Sequence, residues 1–158
     1  MSQGPDRSAE RVGELLDAAE RTLAVAESLT GGELSARFAR APGASEWFRG
    51  GLVAYSSAVK QSVLGVPPGP VVSEPAVTAM AEGIVEVLGA DVGLAATGAA
   101  GPASQDGQPP GTVWLAIHDG HRTLTRLEHF PGDPEAVVDH ALRCAVEWLD
   151  SHLRDVAD

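Results

Sequence analysis

The segment Thr22-Leu-Ala-Val-Ala-Glu27-Ser28-Leu-Thr30-Gly31-Gly32 sets the architecture of this 158-residue chain. Its first six residues carry the apolar core Leu23-Ala-Val-Ala26, which reads as a short buried strand. Gly31-Gly32 breaks that strand, and Leu34, Ala36 and Phe38 then begin a helix that stops before Pro42-Gly43. A buried strand feeding a helix through a glycine turn is the repeating unit of sheets covered on both faces.

Working outward, residues 1–7 read as a flexible N-terminal tail, and Val12, Leu15, Leu16 and Ala19 place a first helix over about 8–20. A second strand over about 47–55 leads into a short helix that carries Lys60 and ends near Gly65. Val66-Pro-Pro-Gly-Pro70 is a rigid loop, after which Ser73 and Pro75 open a helix that Gly89 ends. A third strand over 91–97 precedes a Gly/Pro-rich loop at 98–111. Thr112 to Ile117 and Thr123 to Phe130 form a hairpin across Asp119-Gly120, and Asp133-Pro134-Glu135 starts the last helix. This order predicts an α/β fold: a three-layer α/β/α sandwich with a mostly parallel mixed sheet and an antiparallel edge hairpin. One domain over 8–155 is expected, with no internal repeat or linker.

Composition narrows the function. With 44% hydrophobic residues and only three Trp, three Phe and one Tyr, Val, Leu and Ala must build the core. A formal charge of −11 argues against a nucleic-acid or anionic-membrane partner. It leaves room for a small phosphorylated substrate, which needs only a local cluster of donors. The single Cys144 cannot form an internal disulfide and is expected as a buried, inert thiol. No apolar run reaches membrane length and the polar start is no signal peptide, so the cytoplasm is the expected location.

Ligands in such sheets collect at the carboxyl ends of strands. Three polar, glycine-bearing segments fall there: 26–32, 55–60 and 97–102. In the first, Ser28 stands between the buried strand and the Gly31-Gly32 helix start, where free amides could stabilise an oxyanion; equally, Ser28 and Thr30 could simply cap the helix. It is not the Gly-x-Ser-x-Gly elbow, because Ala26 stands where glycine is required. In the second, Lys60 is the only lysine in the chain, beside ten arginines. A buried lysine can become neutral and act as a base, which arginine cannot. Tyr55 precedes Lys60 by one residue too many for the Tyr-x-x-x-Lys arrangement of short-chain dehydrogenases. Ser57-x-x-Lys60 matches a β-lactamase-type spacing, but its companion motifs are absent, so Ser57 ranks below Ser28. In the third, amides beside Gly98 and Gly101 could cradle an anion or form an ordinary turn. Arg37, Arg40 and Arg49 could orient a phosphate, although a solvated surface position is the default. His118 with His121, and His140 with Cys144, lack a third partner, so no metal is expected.

Taken together, Ala26-Glu-Ser-x-Thr-Gly-Gly32, Phe48-x-Gly-Gly-x-Val53, Tyr55-Ser-x-x-x-Lys60, Val72-Ser-Glu74, Thr97-Gly-x-Ala-Gly-Pro102, Gly111-Thr-Val-Trp114 and Phe130-x-Gly-Asp133 resemble the CinA C-terminal domain family. That family includes the bacterial nicotinamide-nucleotide amidases, and the resemblance covers about 22–150. It implies hydrolysis of the carboxamide of nicotinamide mononucleotide, without cofactor or metal, by a homo-oligomer. Ser28 would be the nucleophile, Lys60 the proton acceptor and donor, and Tyr55 an aid to their network. Thr30, Gly31, Gly32, Thr97, Gly98 and Gly101 would surround the substrate, with the Gly31 and Gly32 amides holding the oxyanion. This chain departs from the family pattern at Leu29, Ala103, Ser104, Gln108 and Pro134. A catalytically silent nucleotide-binding or regulatory module, or an amidase for another small carboxamide, are the alternatives those changes suggest.

Overall fold

A computed structural model describes residues 6–157. Eleven elements follow in order: α1 (Arg7–Ala18), β1 (Leu23–Glu27), α2 (Glu33–Ala39), α3 (Ala44–Trp47), β2 (Phe48–Val53), α4 (Ser57–Leu64), α5 (Glu74–Leu88), β3 (Val92–Gly98), β4 (Thr112–His118), β5 (Thr123–His129) and α6 (Pro134–Ala157). The five strands form one sheet in the order β2-β1-β3-β4-β5. β2, β1 and β3 run parallel, and β4 and β5 extend the sheet as an antiparallel hairpin. Helices cover both faces, so the three-layer α/β/α arrangement expected from the sequence is the observed one.

Period-two alternation assigns each strand residue to a face. Leu23, Val25, Val92, Leu94, Val113, Leu115 and Ile117 pack beneath α1, α2 and α6. Ala24, Ala26, Ala95 and Ala116 turn the other way, beneath α4 and α5. The second face is built of small residues, and α5 comes very close to it. A side chain at Gly93 would overlap the Ala81 carbonyl of α5, and one at Gly83 would overlap the Leu64 backbone of α4. These close contacts hold α4, and with it Lys60, against the end of the sheet.

Local signals explain the element ends. The Ser56 and Ser73 hydroxyls cap α4 and α5, accepting from the Val59 and Ala76 amides at 3.2 and 3.3 Å. Gly65 and Gly89 end those helices in the left-handed conformation. Three expectations are corrected. Asp6 caps α1 and Arg7 already belongs to it, while the rest of the expected tail, residues 1–5, lies outside the described residues. The strand expected from Trp47 begins at Phe48, because Gly43 starts a one-turn helix that buries Trp47 against Phe38. The hairpin turn spans residues 119–122: the Asp119 carboxylate accepts from the His121 and Arg122 amides at 3.0 and 3.1 Å, and His152 of α6 holds its other oxygen at 3.2 Å.

Candidate active site

A cavity of about 420 Å³ opens at the carboxyl ends of β1 and β3. Its wall comprises Ser28 and Leu29 after β1, Tyr55 and Lys60 around α4, and the loop from Gly98 to Gln105 after β3. The three segments singled out in the sequence therefore meet, as parallel strands feeding loops on one edge require. Ser28 is buried, Lys60 is 3% exposed, and Tyr55 stands at the mouth, 77% exposed. Ser57 is exposed and is not among the wall residues.

Glu27 builds the turn that presents Ser28. As the last residue of β1 it points, like Leu23 and Val25, toward the α2 side, where it is fully buried. One carboxylate oxygen accepts from the Thr30 hydroxyl at 2.5 Å and the Gly32 and Leu34 amides at 2.9 and 3.1 Å. The other accepts from the Ser35 amide at 2.8 Å and the Ser35 hydroxyl at 2.6 Å. Gly32, the residue at the helix cap, has no side chain to cap with, so the carboxylate five residues upstream satisfies the first amides of α2. Gly31 and Gly32 turn the chain with φ of 58° and 105°, which side-chain-bearing residues rarely adopt.

This arrangement corrects the expected oxyanion site. The Gly32 amide is held by Glu27, and the Gly31 amide donates to the Ser28 carbonyl at 3.0 Å. The Thr30 hydroxyl is likewise taken by Glu27, and none of the three residues lies on the cavity wall. The Leu29 and Thr30 amides, next along the turn from Ser28, have no partner among the described residues.

Lys60 projects from α4 toward the end of β3. Its Nζ donates to the Thr97 hydroxyl at 3.4 Å, its one hydrogen bond among the described residues. Burial lowers the Lys60 pKa below the ordinary lysine value, and the carboxylate of Asp106 partly opposes that shift. Thr97 is fully buried behind Lys60 and off the cavity wall, whereas Gly98 and Gly101 line it. The Tyr55 hydroxyl makes no hydrogen bond among the described residues.

Other candidates fall elsewhere. Arg37 pairs with Asp6 at 3.4 Å and Arg49 donates to the Leu88 carbonyl at 3.2 Å; neither they nor Arg40 reach the cavity. Cys144 is half-buried on a separate groove between β5 and α6, and burial pushes its thiol pKa up. No cluster of three or more His, Cys, Asp or Glu residues suited to a metal occurs among the described residues. Sequence reasoning missed the roles of Glu27 and Asp106. The signals were a glutamate ending an apolar strand just before a helix, and an Asp-Gly pair inside the long loop.

The sequence profile of the CinA C-terminal domain matches residues 5–153. The chain belongs to the CinA C-terminal domain family. Among its relatives, the nicotinamide-nucleotide amidohydrolase PncC of Pseudomonas putida is 41% identical over 147 residues, 89% of this chain and 92% of that protein. A CinA-like protein of Frankia casuarinae is 44% identical over 133 residues, 81% of this chain. The chain spans only 31% of the Frankia protein's length, and 38% of that of a Thermotoga maritima CinA-like protein. A crystal structure of a CinA superfamily protein from Klebsiella pneumoniae superposes with a TM-score of 0.91 at 36% identity, covering 97% of this chain and 99% of that one. No helix among the described residues is long and apolar enough to cross a membrane.

Proposed function

We propose that this chain hydrolyses the carboxamide of nicotinamide mononucleotide to nicotinic acid mononucleotide and ammonia, with Ser28 as nucleophile and Lys60 as base. The observation that carries the proposal is the meeting, in one cavity, of a buried serine at a strand-to-helix turn and a lysine whose burial favours the neutral amine. The relative named as a nicotinamide-nucleotide amidohydrolase supports the reaction class and the substrate.

Neutral Lys60 takes the Ser28 proton as Oγ bonds to the carboxamide carbon. The amide of Leu29, beside Ser28 on the cavity wall, receives the oxyanion, replacing the Gly31 and Gly32 amides in that role. As the intermediate collapses, the C–N bond breaks and the Lys60 ammonium returns its proton to the departing nitrogen, giving ammonia. Water then attacks the acyl-serine, passing a proton to Lys60, and Ser28 leaves with a proton restored. Tyr55 closes the cavity mouth over the pyridine ring.

A second reading, an amidase for another small carboxamide, is favoured by the uncharged wall that Gly98 to Gln105 supply. Ammonia release from nicotinamide mononucleotide by wild type, Ser28→Ala and Lys60→Arg tests the proposal. Turnover by wild type that both variants abolish is expected. Full activity in Lys60→Arg would overturn the mechanism, since arginine cannot serve as the base. Binding without turnover by wild type would favour a silent module.

A further inference from the structure

Thr97 has one hydroxyl proton, and it goes to the Val71 carbonyl at 2.9 Å. Toward Lys60, 3.4 Å away, that oxygen can therefore only accept. Val71 and Val72 belong to the strap between α4 and α5, which is held from its other side. The Asp106 carboxylate accepts from the Val71 and Val72 amides at 2.8 and 3.1 Å. Asp106 sits at the tip of a tight turn, with φ of 54° and Gly107 at 75°, closed by mutual backbone bonds between Gln105 and Gln108 at 3.1 and 2.8 Å. A hydrogen-bonded chain thus runs from the cavity-lining loop through the 71–72 strap and Thr97 to Lys60.

We propose that Thr97 is a positioning residue for Lys60, aiming the lone pair of its neutral amine into the cavity, with Asp106 fixing the carbonyl that orients Thr97. A neutral amine carries two N–H groups and one lone pair. An acceptor-only oxygen must face an N–H, so the lone pair turns away from Thr97 and is left free for the cavity that Lys60 lines. Period-two alternation along β3 puts Thr97 on the α4 face with Ala95, which is why it meets Lys60 rather than substrate. The inference rests on the proposed role of Lys60 as base. The charged or titratable groups beside that amine are Asp106 across the strap and Tyr55 on the shared cavity wall.

Because Lys60 is the only lysine, protein labelled with lysine carrying 13C at the ε position gives one lysine signal, whose titration needs no turnover. That readout is paired with kcat and KM for nicotinamide mononucleotide in Thr97→Val and Thr97→Ser. Thr97→Val is expected to lower kcat by about 10–100-fold with KM little changed, as misaimed catalytic groups do. It should also move the Lys60 titration to lower pH, since an acceptor that favours the ammonium is gone. Thr97→Ser should restore both. Asp106→Asn, whose amide oxygen can still accept from the strap, should lower the Lys60 titration by removing the charge. If Thr97→Val folds poorly, Thr97→Ala reads the same loss. A Lys60 titration and a kcat both unchanged in Thr97→Val or Thr97→Ala overturn the proposal. If wild type releases no ammonia, the amidase proposal falls and the titration alone decides the positioning: an unshifted signal overturns it, and a downward shift reversed by Thr97→Ser supports it.

Discussion

Glu27 and Lys60 both carry ionisable side chains, are both buried and both lie at the carboxyl end of the sheet, yet they sit on opposite faces in opposite conditions. Glu27 accepts five hydrogen bonds from the turn and helix that follow it. Lys60 makes one long bond to Thr97. A carboxylate whose oxygens are saturated by fixed donors holds structure in place. An amine left short of partners resists its charge and becomes available for proton transfer. The contrast separates the group that builds the turn from the group proposed to act in the cavity.

The sharpest way to break the comparison is Lys60→Met. It should lower kcat for carboxamide hydrolysis by about 10²–10⁴-fold, the usual worth of a general base. It should leave thermal stability unchanged or raised, since it replaces a poorly partnered buried amine with an apolar chain. A large fall in Tm would show Lys60 to be structural instead.

Glu27→Ala should do the opposite. By stranding several buried donors at about 1–3 kcal/mol each, less relaxation, it should cost about 3–5 kcal/mol in urea unfolding. An unchanged midpoint would mean that the carboxylate does not hold the Ser28 turn.

pH sharpens the Lys60 side. Its folded pKa lies below the ordinary 10.5, so between those two values the unfolded chain binds more protons and stability rises with pH. Below the folded value the cost of burying the ammonium is fully present; above 10.5 it is gone. The stability gap between Lys60→Met and wild type should therefore close as pH rises through that window. The rising limb of kcat/KM should likewise lie below the ordinary lysine range. A gap independent of pH would show that Lys60 is not desolvated.

The smallest expected effect is that of Ser35→Ala, which removes one hydroxyl from the Glu27 set. It should cost about 0.5–1.5 kcal/mol, with Lys60 titrating unchanged. A loss as large as that of Glu27→Ala would mean that Ser35 carries the turn.

Much of this was legible in the chain itself. The apolar run 22–27, the capping serines Ser56 and Ser73 and the glycine stops at Gly65 and Gly89 all act over one or two turns. Local rules of that range specify elements and their order. The one-turn helix before β2 was not legible, because four residues give no period to detect and Trp47 is placed by Phe38 rather than by its neighbours in sequence. The hydrogen bonds that occupy Thr30, Gly31, Gly32 and Thr97 were not legible for a related reason. Sequence places a polar group near a site, but its hydrogen-bond partners decide whether it is free to meet a ligand.

The sequence by itself determined the α/β layering and the strand ends at which the three polar, glycine-bearing segments gather. Only the tertiary structure decided which groups remain available. Glu27 takes the Gly32 amide and the Ser28 carbonyl that of Gly31, the Val71 carbonyl accepts from the Thr97 hydroxyl, and Asp106 reaches across from a loop more than thirty residues later in the chain. Residue spacing encodes local geometry, whereas the state of a proton depends on every dipole and charge that folding brings within a few ångströms.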